Sequence, residues 1–361
     1  MATVTKIPIR NLYYILSYAW GRLPEDDPTY VEALNGSDTV ELLARLLAAG
    51  MRHAIRHGLN RDYLPRTEEI PGIRGRLQFG ESIRQRSFER GHTVCKYDEL
   101  DYNNLSNQII KTTLETLFNS QSFQSAEREL KDYVAAVLKQ LKCIESVKLH
   151  PSLFRRIRLH RGNASYGMLL WICELAFDSL LPEHDEGGHR FKNFVQDRDL
   201  MAGIFERFIR NFYARHGQER GYTKLPKRVV EWLVTNKNDP NTAVLPAMET
   251  DIMLESRDRK IIVDCKFYED ALSGGKHDGK KLISDNLYQI FAYVKNQSGV
   301  EGWENCEGLL LYPAVGKSFY HPIDLKDGTH IVAASVNLDC EWEDIDEQLL
   351  QLLGEGQTKS N

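Results

Sequence analysis

The segment Ile261-Ile262-Val263-Asp264-Cys265-Lys266-Phe267 sets two opposite charges, two residues apart, in an otherwise apolar run that reads as a β-strand. Side chains alternate between the faces of a strand, so Asp264 and Lys266 share one face while Val263, Cys265 and Phe267 share the other. The preceding segment, residues 246–254, is predicted to be a second strand and carries Asp251, thirteen residues before Asp264. The polar turn Ser256-Arg257-Asp258-Arg259 closes the two into a hairpin, which brings Asp251 towards Asp264.

Two carboxylates and an ammonium at one sheet end have a specific chemical use. Asp251, Asp264 and the main-chain carbonyl of Cys265 can hold Mg²⁺ through hard oxygen ligands. Such an ion polarises a phosphodiester and acidifies a bound water. Lys266 can position that water or help deprotonate it, a task for which arginine, which does not release its proton, is less suited. An Asp-x-Lys triplet on a strand is common, and an exposed pair on an edge strand needs no function. Three features weigh against that plainer reading. Charges on an apolar strand are costly without a purpose. A second acid stands on the neighbouring strand. The helix predicted over residues 285–295 carries Gln289 and Tyr293 four residues apart, on a face opposite Leu287, Ile290, Phe291 and Val294, which sets polar groups over the strand ends. The candidate catalytic residues are therefore Asp251, Asp264, Lys266 and Gln289, and the candidate metal ligands Asp251, Asp264 and Cys265.

With 361 residues, 42% hydrophobic and 27% charged, the chain has the composition of a water-soluble protein and the length of two domains. No apolar run is long enough to span a membrane, and the first residues lack the apolar stretch of a signal peptide, so the expected location is the cytoplasm. The six cysteines are scattered, without CxxC spacing, as expected of reduced thiols. His184 and His189 lie in an acidic, glycine-containing stretch that reads as a solvated loop. The net charge of −5 argues mildly against DNA binding by bulk charge, but charge acts locally and another chain can supply affinity.

Helical spacing is clear over residues 7–20, 38–57, 103–142, 164–181 and 200–216. Residues 61–100 change texture, with prolines, glycines and short β-like runs, and read as a strand-rich insertion on a helical base. That segment includes Arg61, Arg66, Arg74, Arg76, Arg84, Arg86 and Arg90, a candidate contact for phosphate or for a partner protein. A second basic stretch, Gly274 to Lys281, follows the catalytic hairpin and is a candidate contact for the DNA backbone. A soft boundary near residues 155–165 gives an N-terminal α+β domain over 1–160 and a C-terminal α/β domain over 161–361, with strands at Glu307–Tyr312 and His330–Asn337.

The order of elements resembles the PD-(D/E)xK nuclease superfamily: a mixed sheet flanked by helices with an acid, then an acid-x-Lys triplet, then a helix. In that pattern Asp251 is the first acid, Asp264 the middle acid and Lys266 the lysine, with Gln289 and Tyr293 in the place of a QxxxY element. Met248-Glu249-Thr250 stands where a proline usually precedes the first acid. Glu206 is a candidate for the acid that some branches carry on the first helix, although it falls opposite the apolar stripe and reads as a solvated residue. Beyond the site, Ile7-Pro8-Ile9-Arg10-Asn11-Leu12-Tyr13-Tyr14, Tyr18-Ala19-Trp20-Gly21, Ile70-Pro71-Gly72-Ile73-Arg74-Gly75-Arg76 and Asn107-Gln108-Ile109-Ile110-Lys111 are similar to segments of the McrC family. That resemblance implies an Mg²⁺-dependent endonuclease subunit of a restriction system directed at methylated cytosine. It implies that the N-terminal half docks on an McrB-like AAA+ GTPase hexamer and stimulates it, that the C-terminal half cuts double-stranded DNA carrying the modified base, and that GTP is bound by the partner. Gly316-Lys317-Ser318 has the tail of a phosphate-binding loop, but Leu311 stands where the motif needs its first glycine, so GTP binding by this chain is not expected. Two alternatives stay open: a non-catalytic activator of the GTPase, and a stand-alone nuclease.

Overall fold

The computed structural model describes residues 7–19, 38–159, 166–182, 189–191, 194–226, 229–236, 239–268, 272–273 and 281–354. His184, Trp20, Gly21 and the basic stretch over 274–280 lie outside the described residues. The chain divides into two compact units, one formed by Met1–Gly36 with Asn193–Asn361 and the other by Ser37–Lys192.

This differs from the single cut expected near residue 160. The first helix, α1 (Ile9–Ala19), belongs with the C-terminal elements, because its apolar side buries Leu12, Ile15 and Leu16 against a helix far along the chain. Asn211 Nδ2 donates to the carbonyls of Tyr18 and Ala19 at 2.9 Å, and Asn11 Nδ2 donates to the carbonyls of Leu338 and Cys340 at 2.8 Å. A boundary drawn from local composition has no access to such long-range partners.

The Ser37–Lys192 unit opens with α2 (Thr39–His57), whose N-terminus is capped by Asp38 Oδ1 accepting the Glu41 N–H at 2.9 Å. Strand β1 (Asp62–Pro71) pairs antiparallel along its whole length with β3 (His92–Asp101), and β2 (Arg76–Leu77) joins the other edge of β3. Helices α3 (Leu105–Asn119), α4 (Arg128–Gln140) and α5 (Tyr166–Asp178) pack with α2 into the apolar base of the unit. Gly50 marks the close approach of α2 to α5: a Cβ there overlaps the Leu169 side chain.

Much of the arginine-rich segment is neutralised within this sheet. Arg66 pairs with Glu68, Glu99 and Asp101, Arg90 holds both oxygens of Glu69 at 2.7 Å, Arg84 pairs with Glu81, and Arg74 lies over the Tyr97 ring at 4.1 Å. Arg66, Arg74, Arg84 and Arg90 thus each have an anion or a ring beside them, while Arg61, Arg76 and Arg86 are exposed.

The other unit is built on a six-stranded mixed sheet. After α6 (Arg198–His216) come β4 (Thr223–Lys224), β5 (Ile252–Glu255), β6 (Lys260–Cys265), α7 (Ser284–Gln297), β7 (Glu307–Ala314), β8 (Tyr320–Asp324), β9 (His330–Asn337) and α8 (Trp342–Gly354). The strand order is β8-β9-β7-β6-β5-β4. β6, β7 and β9 run parallel, while β4, β5 and β8 each pair antiparallel. A central parallel strand is covered on both faces, which is why β6 is an almost unbroken apolar run. On one face Ile262, Leu310, Tyr312 and Ala333 pack against Ile290, Tyr293 and Val294 of α7. On the other, the Phe267 ring meets Phe205 of α6 at 6.1 Å. β8 and α8 were not foreseen from the sequence; α8 is amphipathic, with Ile345, Leu349 and Leu353 buried. No helix among the described residues is long and apolar enough to cross a membrane.

Candidate active site

The hairpin register pairs Val263 with Ile252 and Lys260 with Glu255. The next position brings Asp251 opposite Asp264. Asp251 is not on a strand, however, as the sequence suggested. It sits at a bend between the short strand Met248–Glu249 and β5. The break lets its side chain turn inward: Asp251 Oδ2 accepts the Cys265 N–H at 2.8 Å, so a carboxylate occupies a hydrogen-bonding place that a neighbouring strand would otherwise fill. On the far side the Lys266 N–H continues the ladder to the Leu311 carbonyl at 2.9 Å. Both acids are thus pinned by backbone at the end of a buried sheet.

Asp264 is 1% exposed. Lys266 Nζ approaches its Oδ2 at 2.9 Å, yet that oxygen has no hydrogen bond of good geometry. Burial pushes the Asp264 carboxyl above the usual range, and Lys266 opposes the rise. Burial also lifts Asp251, to about 7, with the charges of Asp264 and Glu206 adding to it and the Cys265 N–H and Lys266 working against it. For Lys266, burial acts to lower the pKa, but the ion pair with Asp264 and the charge of Asp251 win and raise it. The negative charge here is under-compensated, and the ammonium keeps its proton.

Lys266 Nζ also donates to Gln289 Oε1 at 2.7 Å, Gln289 Nε2 donates to the Tyr293 hydroxyl at 2.7 Å, and Tyr293 donates to the Glu249 carbonyl at 3.0 Å. The chain is satisfied in one sense only. The Tyr293 proton is committed to a carbonyl, so its oxygen accepts from the amide, and the amide oxygen faces the ammonium. Tyr293 corrects the expectation from the helix wheel: it is 5% exposed and lies on the buried face with Ile290 and Val294, while Leu287 and Phe291 are half-buried. α7 is anchored by an aromatic whose hydroxyl serves the site.

Glu206 also departs from its expected place on a solvated face. Its side chain is 26% exposed and ion-paired with Arg210, one turn on in α6. Arg210 donates from Nε and Nη2 to the Asp251 carbonyl at 3.4 and 3.2 Å. Sequence reasoning missed Arg210, whose one available signal was its i,i+4 spacing from Glu206.

The donor set suits a hard divalent cation. Asp264 presents a buried oxygen without a hydrogen bond, and both carboxylates need positive charge. No group of three or more His, Cys, Asp or Glu side chains that could hold an ion occurs among the described residues. Two carboxylates completed by main-chain oxygen and water match the habit of Mg²⁺ better than the closed nitrogen and sulfur shells of structural zinc. The Cys265 thiol, pushed up by burial and by the neighbouring acids, is a poor ligand; its backbone carbonyl remains the candidate. Gly316 donates its N–H to Asn337 Oδ1 at 2.9 Å in the turn after β7, so that backbone donor is already used.

A profile of the McrBC 5-methylcytosine restriction system component family matches residues 7–313. The chain belongs to the McrBC family. It is 32% identical over 349 residues to the type IV methyl-directed restriction enzyme EcoKMcrBC of Escherichia coli (strain K12), covering 97% of this chain and 98% of that protein. Its fold is similar to a chain in the refined half-complex from a tetradecameric assembly of Thermococcus gammatolerans McrB AAA+ hexamers with bound McrC. The TM-score there is 0.54 at 17% identity, over 96% of this chain and 77% of that one. Within this McrBC-family chain the structure gathers Asp251, Asp264, Lys266 and Gln289 at one sheet end, with Tyr293, Glu206 and Arg210 around them.

Proposed function

We propose that this chain is the endonuclease subunit of a GTP-dependent, methylcytosine-directed restriction complex, hydrolysing DNA phosphodiesters with Mg²⁺ at a PD-(D/E)xK-type site. The observation that carries this reading is the pair of acids at one sheet end, half-buried Asp251 and buried Asp264, beside an ammonium ion-paired to Asp264 and held by Gln289. Membership of the McrBC family supports the restriction role.

Asp251 and Asp264, with the Cys265 carbonyl, would hold the ion. Bound there, Mg²⁺ would polarise the scissile phosphate and acidify a water. Lys266 keeps its proton in the ion-free site, so it acts as a charged donor that orients the attacking water and offsets charge on the phosphorane. Gln289 and Tyr293 fix the direction in which that ammonium points. In this reading an McrB-like AAA+ GTPase hexamer, which binds the GTP, is the partner. Residues 1–160 were expected to dock on it; in this reading the docking element is the Ser37–Lys192 unit.

The test incubates the parent chain and Asp264→Ala with the GTPase partner, GTP, Mg²⁺ and DNA carrying methylated cytosine. The variant is expected to lose cleavage and still stimulate GTP hydrolysis. Retained cleavage sinks the site, and cleavage by the parent without any partner sinks the subunit reading. If neither parent nor variant cuts while both stimulate hydrolysis, the chain is an activator without nuclease activity.

A further inference from the structure

We propose that Arg210 is a positioning residue that holds Glu206 out of the ion site while fixing the bend that carries Asp251. The inference rests on the metal-dependent reading given above and goes beyond it, because it concerns how many carboxylates the site offers.

Two observations carry it. Arg210 reaches two groups at once: its guanidinium binds the Glu206 carboxylate and donates from Nε and Nη2 to the main-chain carbonyl of Asp251 at 3.4 and 3.2 Å. Secondly, Glu206 lies close enough for its charge to act on Asp251, Asp264 and Cys265, yet the three acids do not form a ligand cluster among the described residues. Glu206 is near the site but outside any ligand cluster among the described residues, and its carboxylate is engaged by the guanidinium.

The physical reason for such a device is geometric. The bend at Asp251 takes its carbonyl out of the regular ladder, and a displaced, partly buried carbonyl needs donors. A planar guanidinium supplies several donors in fixed directions, which a lysine does not. An unrestrained Glu206 would offer the ion a third carboxylate. More anionic ligands bind a divalent cation more tightly and favour larger, less strictly octahedral ions over Mg²⁺. Arg210 therefore holds the site at two carboxylates and leaves ligand positions for water.

The test uses the full-length chain and titrates Mn²⁺ alone by calorimetry, with Mg²⁺ and Ca²⁺ in parallel. Arg210→Met is expected to bind Mn²⁺ about tenfold more tightly than the parent, with a larger gain for Ca²⁺ than for Mg²⁺. Adding Glu206→Gln to Arg210→Met should return the affinity to that of the parent or below. Glu206→Gln alone, which keeps the fold independent of the arginine change, should leave Mn²⁺ affinity within about twofold. A tenfold loss in Glu206→Gln alone means that Glu206 already ligates the ion, and overturns the proposal. Unchanged or weaker binding in Arg210→Met, with binding in the parent and loss in Asp264→Ala, overturns the restraint but keeps the ion site. No binding by the parent overturns the ion site and the restraint together.

Discussion

The Oδ2 of Asp251 accepts a 2.8 Å hydrogen bond from the main-chain N–H of Cys265, so the first acid of the site also closes the backbone of the strand that bears the second. Its folded-state pKa, about 7, lies above the ordinary carboxylate value because of burial first and of Asp264 and Glu206 next. The unfolded chain therefore ionises first as pH rises. The ionised carboxylate costs folding stability progressively from about pH 4, and the cost is complete above about pH 7. In EDTA, Asp251→Asn is expected to melt higher than the parent at pH 8, by on the order of 2 kcal/mol, and to match it near pH 4. Cleavage should be lost. A variant no more stable than the parent at pH 8 contradicts this account.

The hydrogen-bonded chain from Lys266 through Gln289 to Tyr293 implies a coupling between the last two. Tyr293→Phe removes the group that fixes the sense of the Gln289 amide, and cleavage should fall about tenfold. Gln289→Glu has no amide to misorient, so adding Tyr293→Phe to it should cost much less. A double-mutant cycle on kcat reads this directly, and strict additivity of the two changes rules the relay out.

Gly308 lets α7 approach β7. A Cβ there meets Ile290 Cγ1 at 2.7 Å and Val294 Cγ2 at 3.0 Å. Gly308→Ala is expected to lose about 2 kcal/mol in chemical denaturation, and to slow cleavage because α7 carries Gln289. Gly316→Ala, in the turn after β7, has no such neighbour. It should be destabilised only by its positive φ, by about 1 kcal/mol, with cleavage kept.

Asp346 on α8 carries a buried oxygen without a hydrogen bond, and its pKa is raised to about 6 by burial, with Glu343 and Glu219 adding and His216 opposing. The same sign applies: the destabilisation grows between about pH 4 and pH 6 and persists above. Because the group is partly solvated, Asp346→Asn should stabilise the chain by only about 1 kcal/mol at pH 8 and by nothing at pH 4. Thermal melts at the two pH values decide it.

By itself the sequence determined most of the elements and which residues make up the candidate site. Period-two patterning with Asp264 and Lys266 on one face of an apolar strand requires no partner to read, and neither does the helical spacing of α2, α6 and α7. These are local regularities of a repeating backbone. Only the tertiary structure decided that Asp251 leaves the strand at a bend, that Tyr293 is buried in the core while its hydroxyl meets Gln289, and that Arg210 joins Glu206 to the Asp251 carbonyl. It also decided that α1 joins elements some 190 residues later, through Asn211 and the carbonyls of Tyr18 and Ala19. Each of these depends on which distant side chain fills a hydrogen-bonding place or a packing gap. Local periodicity reports that a residue is buried or exposed, but the partner it meets is set by the closing of the whole chain.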